Sequence, residues 1–274
     1  MKIFIIGLGV IGASYAEKLS EKGHQLFGYD HDITTFNQAK KLKIIDSTST
    51  IESLKETDVI ISALYPEETV TFYQTYAHLM NPNQILTDVC GIKTWLLKEL
   101  EHVLPNNLVY TSHHPMAGKE KTGFYARDKN LFNQANFLII KSSRSTKHAI
   151  TQLSTIANDL NCKPVSILTA EAHDEMIAYT SQLTHLLATS LINSTEPNNY
   201  ALATGDSFKD LTRIAKINAP LWTELFLKNK SALLQKIKQF KTALETIENN
   251  LENEDEEAII KNLNQAKKRR ESYD

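Results

Sequence analysis

Gly7-Leu8-Gly9-Val10-Ile11-Gly12 follows the apolar run Lys2-Ile3-Phe4-Ile5-Ile6 and opens a stretch, Ile11–Glu21, with apolar residues at helical spacing. Three glycines so placed after a strand give a tight turn, room for a pyrophosphate against the backbone, and close helix–strand packing. The free N–H groups of the helix start then receive the phosphates. Gly7, Leu8, Gly9, Val10, Ile11 and Gly12 are therefore candidate cofactor contacts. The second β-rich run ends at Gly28-Tyr29-Asp30, with Asp30 eighteen residues past Gly12. A carboxylate there bonds the ribose hydroxyls of an adenosine and repels a 2′-phosphate, which favours NAD over NADP.

Outward from this turn, the first 168 residues alternate short β-rich runs with helical patterns, as a parallel sheet flanked by helices does. Strands are expected at Lys2–Gly7, Gln25–Tyr29, Asp58–Leu64, Gln84–Val89, Leu108–Ser112 and Asn136–Lys141. Helices are expected at Ile11–Glu21, Thr69–Leu79 and Thr94–Val103. After Thr169 only long helical patterns follow: Ala170–Asn193, Ser207–Lys216, Ala219–Asn249 and Glu254–Arg270. The expected fold is thus an α/β dinucleotide-binding domain, residues 1–168, followed by an all-α domain, residues 169–274.

Composition narrows the function classes. The 274 residues are 42% hydrophobic and 23% charged, with 30 basic against 32 acidic side chains and a net charge of −2. That argues against wholesale disorder and against a nucleic-acid-coating protein. Two cysteines, Cys90 and Cys162, build neither a disulfide framework nor a zinc site, and no metal ligand set is expected. The apolar start is too short for a signal peptide, and the uncharged stretch between Glu175 and Glu196 is too polar for a membrane span. A reducing, cytoplasmic setting is the expectation.

Three further clusters carry chemistry. Thr87-Asp88-Val89-Cys90-Gly91-Ile92-Lys93 lies where a strand enters a helix, at the ligand-binding end of an open α/β sheet. Asp88 either positions a ligand or caps the following helix. Ser112-His113-His114-Pro115-Met116-Ala117-Gly118-Lys119-Glu120-Lys121-Thr122-Gly123 places a histidine before a proline, hence on extended backbone at a strand end. Asp174, Ala178, Ser181, His185 and Ala188 recur at steps of four and three, along one helix face.

Together these segments resemble the prephenate dehydrogenase family, which includes arogenate and cyclohexadienyl dehydrogenases. The resemblance covers nearly the whole chain and extends to Gly123–Phe132, Phe208–Lys216 and Pro220–Phe226. It implies an NAD-binding Rossmann domain followed by a helical domain that forms a homodimer. It also implies roles for individual residues. His114 matches the catalytic histidine, and Arg213 the arginine that binds a substrate carboxylate, though a salt bridge to Asp210 in its own helix is the plainer alternative. His185 matches a histidine lining the substrate pocket, with Ser181 beside it. Glu120 matches an acidic residue at the pocket mouth, with a gating pair to Arg213; Lys119 and Thr122 join the substrate set. Leu64, Asp88 and Gly91 complete the cofactor set. Two positions depart from the family pattern: Gly91 stands where the family often has serine, and Ser181-Gln182-Leu183-Thr184-His185 lacks the first histidine and the proline of S-H-L-P-H.

The reaction so implied is the oxidative decarboxylation of prephenate to 4-hydroxyphenylpyruvate, with NAD taking a hydride. His114 accepts the ring-hydroxyl proton, and Arg213 offers a bidentate fork to a carboxylate. The alternatives are arogenate as substrate, another Rossmann reductase with a helical second domain, or a non-catalytic NAD(H)-binding protein that kept the fold. Neither nucleic acid nor membrane is an expected partner.

Overall fold

The computed structural model describes residues 1–196 and 199–273. Five strands, β1 (Lys2–Ile6), β2 (Gln25–Tyr29), β3 (Val59–Ser62), β4 (Ile85–Asp88) and β5 (Val109–Tyr110), form a parallel sheet in the order β2-β1-β3-β4-β5. Strand order reverses at β1 and β3, which opens a crevice at their carboxyl ends. In register there, Ile6 pairs with both Tyr29 and Ser62, and Ser62 pairs with Asp88.

Side chains of β1 alternate between two cores, as a period of two requires. Ile3 and Ile5 pack with Tyr15, Leu19, Val59, Ile61 and Leu153 on one face. Phe4 and Ile6 pack with Ile60, Tyr73, Leu86 and Leu100 on the other. Both faces of the strand are thereby covered, which is why β1 reads as an unbroken apolar run.

Helices α1 (Val10–Glu21), α2 (Ile33–Lys41), α3 (Pro66–Tyr76), α4 (Thr94–Val103) and α5 (Lys147–Asp159) accompany the strands. A second sheet, in the order β6-β7-β8, comprises β6 (Ser112–His114), β7 (Leu138–Ile140) and β8 (Ser166–Leu168), with β6 antiparallel to β7. The expected single sheet is thus two sheets, because the chain turns a corner at Thr111. The run expected at Leu108–Ser112 divides there, with β5 ending at Tyr110 and β6 starting at Ser112.

Among the described residues, only helices follow β8. The pattern Ala170–Asn193 is α6 (Ala170–Ile177), a π-helical turn (Ala178–Gln182) and α7 (Leu183–Asn193) in succession. Next come α8 (Asp206–Thr212) and α9 (Ala219–Lys228). The helix expected over Ala219–Asn249 breaks at Asn229. The buried side chain of Asn229 donates to the Asp174 carbonyl (2.9 Å) and to Gln182 Oε1 (2.8 Å), and its backbone leaves the helix to do so.

By packing, the chain forms two compact units, Met1–Asn229 and Lys230–Asp274. In the second, α10 (Lys230–Glu252) and α11 (Glu256–Glu271) pack together across a short turn, and Asp255 caps α11 through the Ala258 N–H. No helix among the described residues is long and apolar enough to cross a membrane.

Candidate active site

The glycine turn is built as its spacing predicts. Gly7 has φ +83°, and a Cβ there would meet Leu64 Cδ2 at 2.8 Å and the Ala63 carbonyl oxygen at 2.9 Å. A Cβ on Gly12 would stand 1.8 Å from the Gly7 carbonyl oxygen, so α1 approaches the turn as closely as only glycine permits. A Cβ on Gly9 meets nothing within 4 Å, and Gly9, the N-cap of α1, makes no side-chain cap. The first-turn N–H groups of α1 therefore stand beside open space, a donor set that suits a phosphate.

Asp30 closes the turn from behind. Its Oδ2 accepts from the Leu8 N–H (2.7 Å) and its Oδ1 from the Asp32 N–H (2.9 Å). Each oxygen keeps a second lone pair, so the carboxylate has capacity for hydroxyl donors. These residues fit a dinucleotide.

Beside the turn lies a cavity of about 510 Å³. Its lining comes from the glycine turn (Gly9, Val10, Ile11), the β3 end (Ala63 to Pro66), the β4 end (Val89, Cys90, Gly91), His114, and the loop Met116 to Gly123. Ser181, Gln182 and His185 face it from the helical half, with Ile214 and Trp222. The structure therefore brings together Gly9, Val10, Ile11, Leu64, Gly91, His114, Lys119, Glu120, Thr122, Ser181 and His185. Gly7, Leu8, Gly12, Asp30, Asp88 and Arg213 do not line it.

Asp88 neither faces the cavity nor caps α4. It is fully buried, and its oxygens accept from Lys93 Nζ (2.6 Å), Tyr110 Oη (2.5 Å), the Cys90 N–H (2.8 Å) and Ser112 Oγ. Burial alone would raise this carboxyl, yet the Lys93 ammonium and the hydroxyl donors hold it below the usual carboxylate range. Lys93, also wholly buried, donates in addition to the His113 carbonyl oxygen (2.7 Å). The pair thus pins the backbone immediately before His114.

The adjacent histidines separate because β6 is a strand. His113 turns into the core, with Nε2 bonded to Tyr15 Oη (2.9 Å), Nδ1 to Thr87 Oγ1 (2.7 Å), and its ring stacked on Phe137. Burial depresses it to about 3. His114 turns to the cavity, and Nδ1 lies 2.9 Å from Nε2 of His173. Burial, then His173, Lys93 and His113, push His114 well below the ordinary histidine value, so it is neutral at neutral pH.

His173 was not among the expected residues. Its Nδ1 lies 2.8 Å from Asp174 Oδ1, and the Asp174 carboxylate also accepts from the Lys93 and Thr94 N–H groups (2.8 Å each). The start of α4 is thereby capped by a residue eighty positions away. The sequence did carry the adjacent pair His173-Asp174, but its partners lie outside any local window.

His185 Nδ1 donates to the Ser181 carbonyl oxygen (2.8 Å), and its ring stacks on Trp222 at 3.7 Å. Burial lowers it, against the Ser181 carbonyl and Glu120. Arg213 is exposed and pairs with Glu120, not with Asp210. Lys119 pairs with Asp128 (2.8 Å). At Gly91, a Cβ would make ordinary contacts of 3.6 Å with Leu225, so the position has room for the serine common in the family. Cys90 is buried, which raises its thiol; it packs and is no nucleophile.

Comparison with known proteins adds independent findings. Residues 15–166 match the family model "Prephenate dehydrogenase, nucleotide-binding domain", and residues 169–265 match "Prephenate dehydrogenase, dimerization domain". The chain is 30% identical over 275 residues to the prephenate dehydrogenase of Bacillus subtilis, covering 97% of this chain and 74% of that one. It is 26% identical to the cyclohexadienyl dehydrogenase of Zymomonas mobilis, covering 98% and 94% of the two. Among solved structures, prephenate dehydrogenase from A. aeolicus, in complex with hydroxyphenyl propionate and NAD+, superposes with a TM-score of 0.89. It is 25% identical, covering 100% of this chain and 99% of that one.

Proposed function

Because the chain belongs to the prephenate dehydrogenase family of oxidoreductases, we propose that it converts prephenate to 4-hydroxyphenylpyruvate with NAD. The observation that carries this reading is a neutral imidazole, His114, facing the same cavity as the glycine turn. NAD, when bound, supplies the hydride acceptor. The N–H groups of Gly9, Val10 and Ile11 would hold its pyrophosphate, and Asp30 would take the ribose hydroxyls. Leu64 and Gly91, which line the cavity, would bound the nicotinamide side.

His114 accepts the proton of the ring hydroxyl as the carbonyl forms. The loss of the ring carboxylate as carbon dioxide makes the ring aromatic and sends its electron pair to the carbonyl oxygen, which takes the proton back from His114; aromaticity supplies the driving force. Arg213, swinging from Glu120, grips a substrate carboxylate with its two-pronged guanidinium. Lys119, Thr122, Ser181 and His185 line the side-chain end.

The choice of prephenate over arogenate has its own support. Glu120 is the one carboxylate lining the cavity among the described residues, and Arg213 already engages it. Against that single carboxylate the cavity sets Lys119, Lys121 and Lys216, a cationic lining that suits the dianion prephenate better than arogenate with its added ammonium.

The division of labour at residues 168 and 169, and a homodimer through the helical part, belong to the same reading. Leu244, Ile247 and Leu251 form an exposed apolar line on α10 that a second chain would cover. The deciding experiment mixes the protein with NAD and prephenate, or NAD and arogenate, and follows NADH absorbance. Turnover with prephenate at the higher kcat/KM is expected. A preference for arogenate overturns the substrate, and nucleotide binding without turnover overturns the enzyme.

A further inference from the structure

We propose that His173 and Asp174 are positioning residues for His114, fixing its proton on Nδ1 and leaving the lone pair on Nε2 to meet the substrate hydroxyl. The inference rests on the reading of His114 as the base, and follows from three hydrogen bonds taken in order. Asp174 is a carboxylate and accepts only, so Nδ1 of His173, 2.8 Å from Oδ1, must donate. A neutral imidazole with its proton on Nδ1 has only a lone pair on Nε2. The His114 Nδ1 that faces it at 2.9 Å must therefore donate in turn. His114 Nε2 is left without a proton, and among the described residues it makes no hydrogen bond within the protein.

The far end of this relay is anchored rather than free. Asp174 is held by the Lys93 and Thr94 N–H groups at the start of α4, where a negative charge is favoured. Its own backbone carbonyl receives the Asn229 amide (2.9 Å), and the His173 ring is wholly buried. The base, an imidazole that orients it, and a carboxylate that orients the imidazole are the ordering logic of a catalytic triad with histidine in the middle place.

When the hydroxyl O–H bond breaks, the new N–H bond forms at His114 Nε2 and the O–H electron pair becomes the carbonyl π bond, as the carbon bearing the hydroxyl gives up its hydride. The resulting imidazolium donates from Nδ1 to a ring already tied to an anion. Around His114 the charged and titratable groups are Lys93, His113 and His173, each of which disfavours the imidazolium. Asp174 and the buried Asp88 act oppositely on His173.

The experiment is ¹⁵N NMR of the full chain labelled at histidine, which reads which ring nitrogen carries the proton. Signals of His114 and His173 are identified by loss in His114→Gln and His173→Gln. Both rings are expected as Nδ1–H tautomers at pH 7.5. An Nε2–H tautomer at His114 overturns the proposal, whether or not the protein turns over prephenate, so this failure is distinct from failure of the enzymatic reading.

Two variants separate orientation from mere packing. His173→Gln keeps an acceptor near the position of Nε2, and should retain the His114 tautomer and kcat within about tenfold. His173→Leu removes the acceptor, and should lower kcat roughly 10²- to 10⁴-fold with KM within about twofold and release His114 to the other tautomer. If the leucine variant does not fold, the wild-type spectrum and the glutamine variant still decide. Equal kcat and an unchanged tautomer in a folded leucine variant would refute the relay.

Discussion

Two ion pairs bracket the cavity and share their chemistry while differing in everything around it. Lys93 and Asp88 are wholly buried, and hydroxyl or backbone partners satisfy both. Arg213 and Glu120 lie at the outer edge, with side chains 60% and 34% exposed. Taking a pair out of water costs several kcal/mol per ion, which only excellent geometry offsets. The inner pair therefore holds backbone and does not exchange partners. The outer pair forgoes little on opening, since exposed pairs contribute about 0–1 kcal/mol, and so its guanidinium is available to a substrate. Depth decides whether a charge builds the site or reads the ligand.

The sharpest way to break this contrast is Lys93→Met. It leaves Asp88 buried and unpaired, and should destabilise the fold by about 3–5 kcal/mol in denaturant melts. A loss under 1 kcal/mol would place the inner pair in the same class as the outer. His114→Asn sits between the pairs and should lower kcat by roughly two to four decades, with KM and the melt nearly unchanged. An unaltered kcat would remove the base.

Arg213→Ala should raise KM for prephenate by roughly 10- to 100-fold, the loss of a charged hydrogen bond at about 1.5–3 kcal/mol, with stability shifted by less than about 0.5 kcal/mol. A melt shifted as far as that of Lys93→Met would show the outer pair to be structural after all. Acid sharpens the same distinction. His113 at about 3, with His114 and His173 also depressed, means that the unfolded chain binds more protons than the folded one below about pH 6.5. Stability then falls with pH below that point, by up to about 1.4 kcal/mol per unit for each group. Melts at pH 7.5 and 5 read the slope, and a flat profile contradicts the burial of these rings. The smallest effect is at the far edge, where Asp30→Ser should erode selectivity for NAD over NADP by about tenfold, read as a ratio of kcat/KM values.

Regions whose structure is local were legible in the sequence. The glycine turn, β2 and the start and end of α4 follow from spacing alone, because a strand, a tight turn and an amphipathic helix each write their period into neighbouring residues. The helix α2 is hard to read because it is short and only Ala39 is fully buried, with Phe36 packed beside it at the edge of the core. The strand β8 has three residues and two are exposed, which is too short to alternate. By contrast α5 does write its period into the sequence: Ala149, Leu153, Ile156 and Ala157 fall on one face.

Within the site the same division holds. His114, Glu120, Ser181 and His185 stand in quotable motifs and do line the cavity. The burial of Asp88, the cap that Asp174 places on α4 and the approach of His173 to His114 are contacts across 24 to 81 positions, and no local pattern encodes them. The π-helical turn before α7 likewise arises from packing: it sets Gln182 against Asn229 and leaves Ser181 and His185 toward the cavity.

That Asp174 both caps the start of one helix and anchors the imidazole pair has a hereditary consequence. A substitution that releases α4 frees the two rings as well, so selection for protein yield and selection for flux act through the same codon.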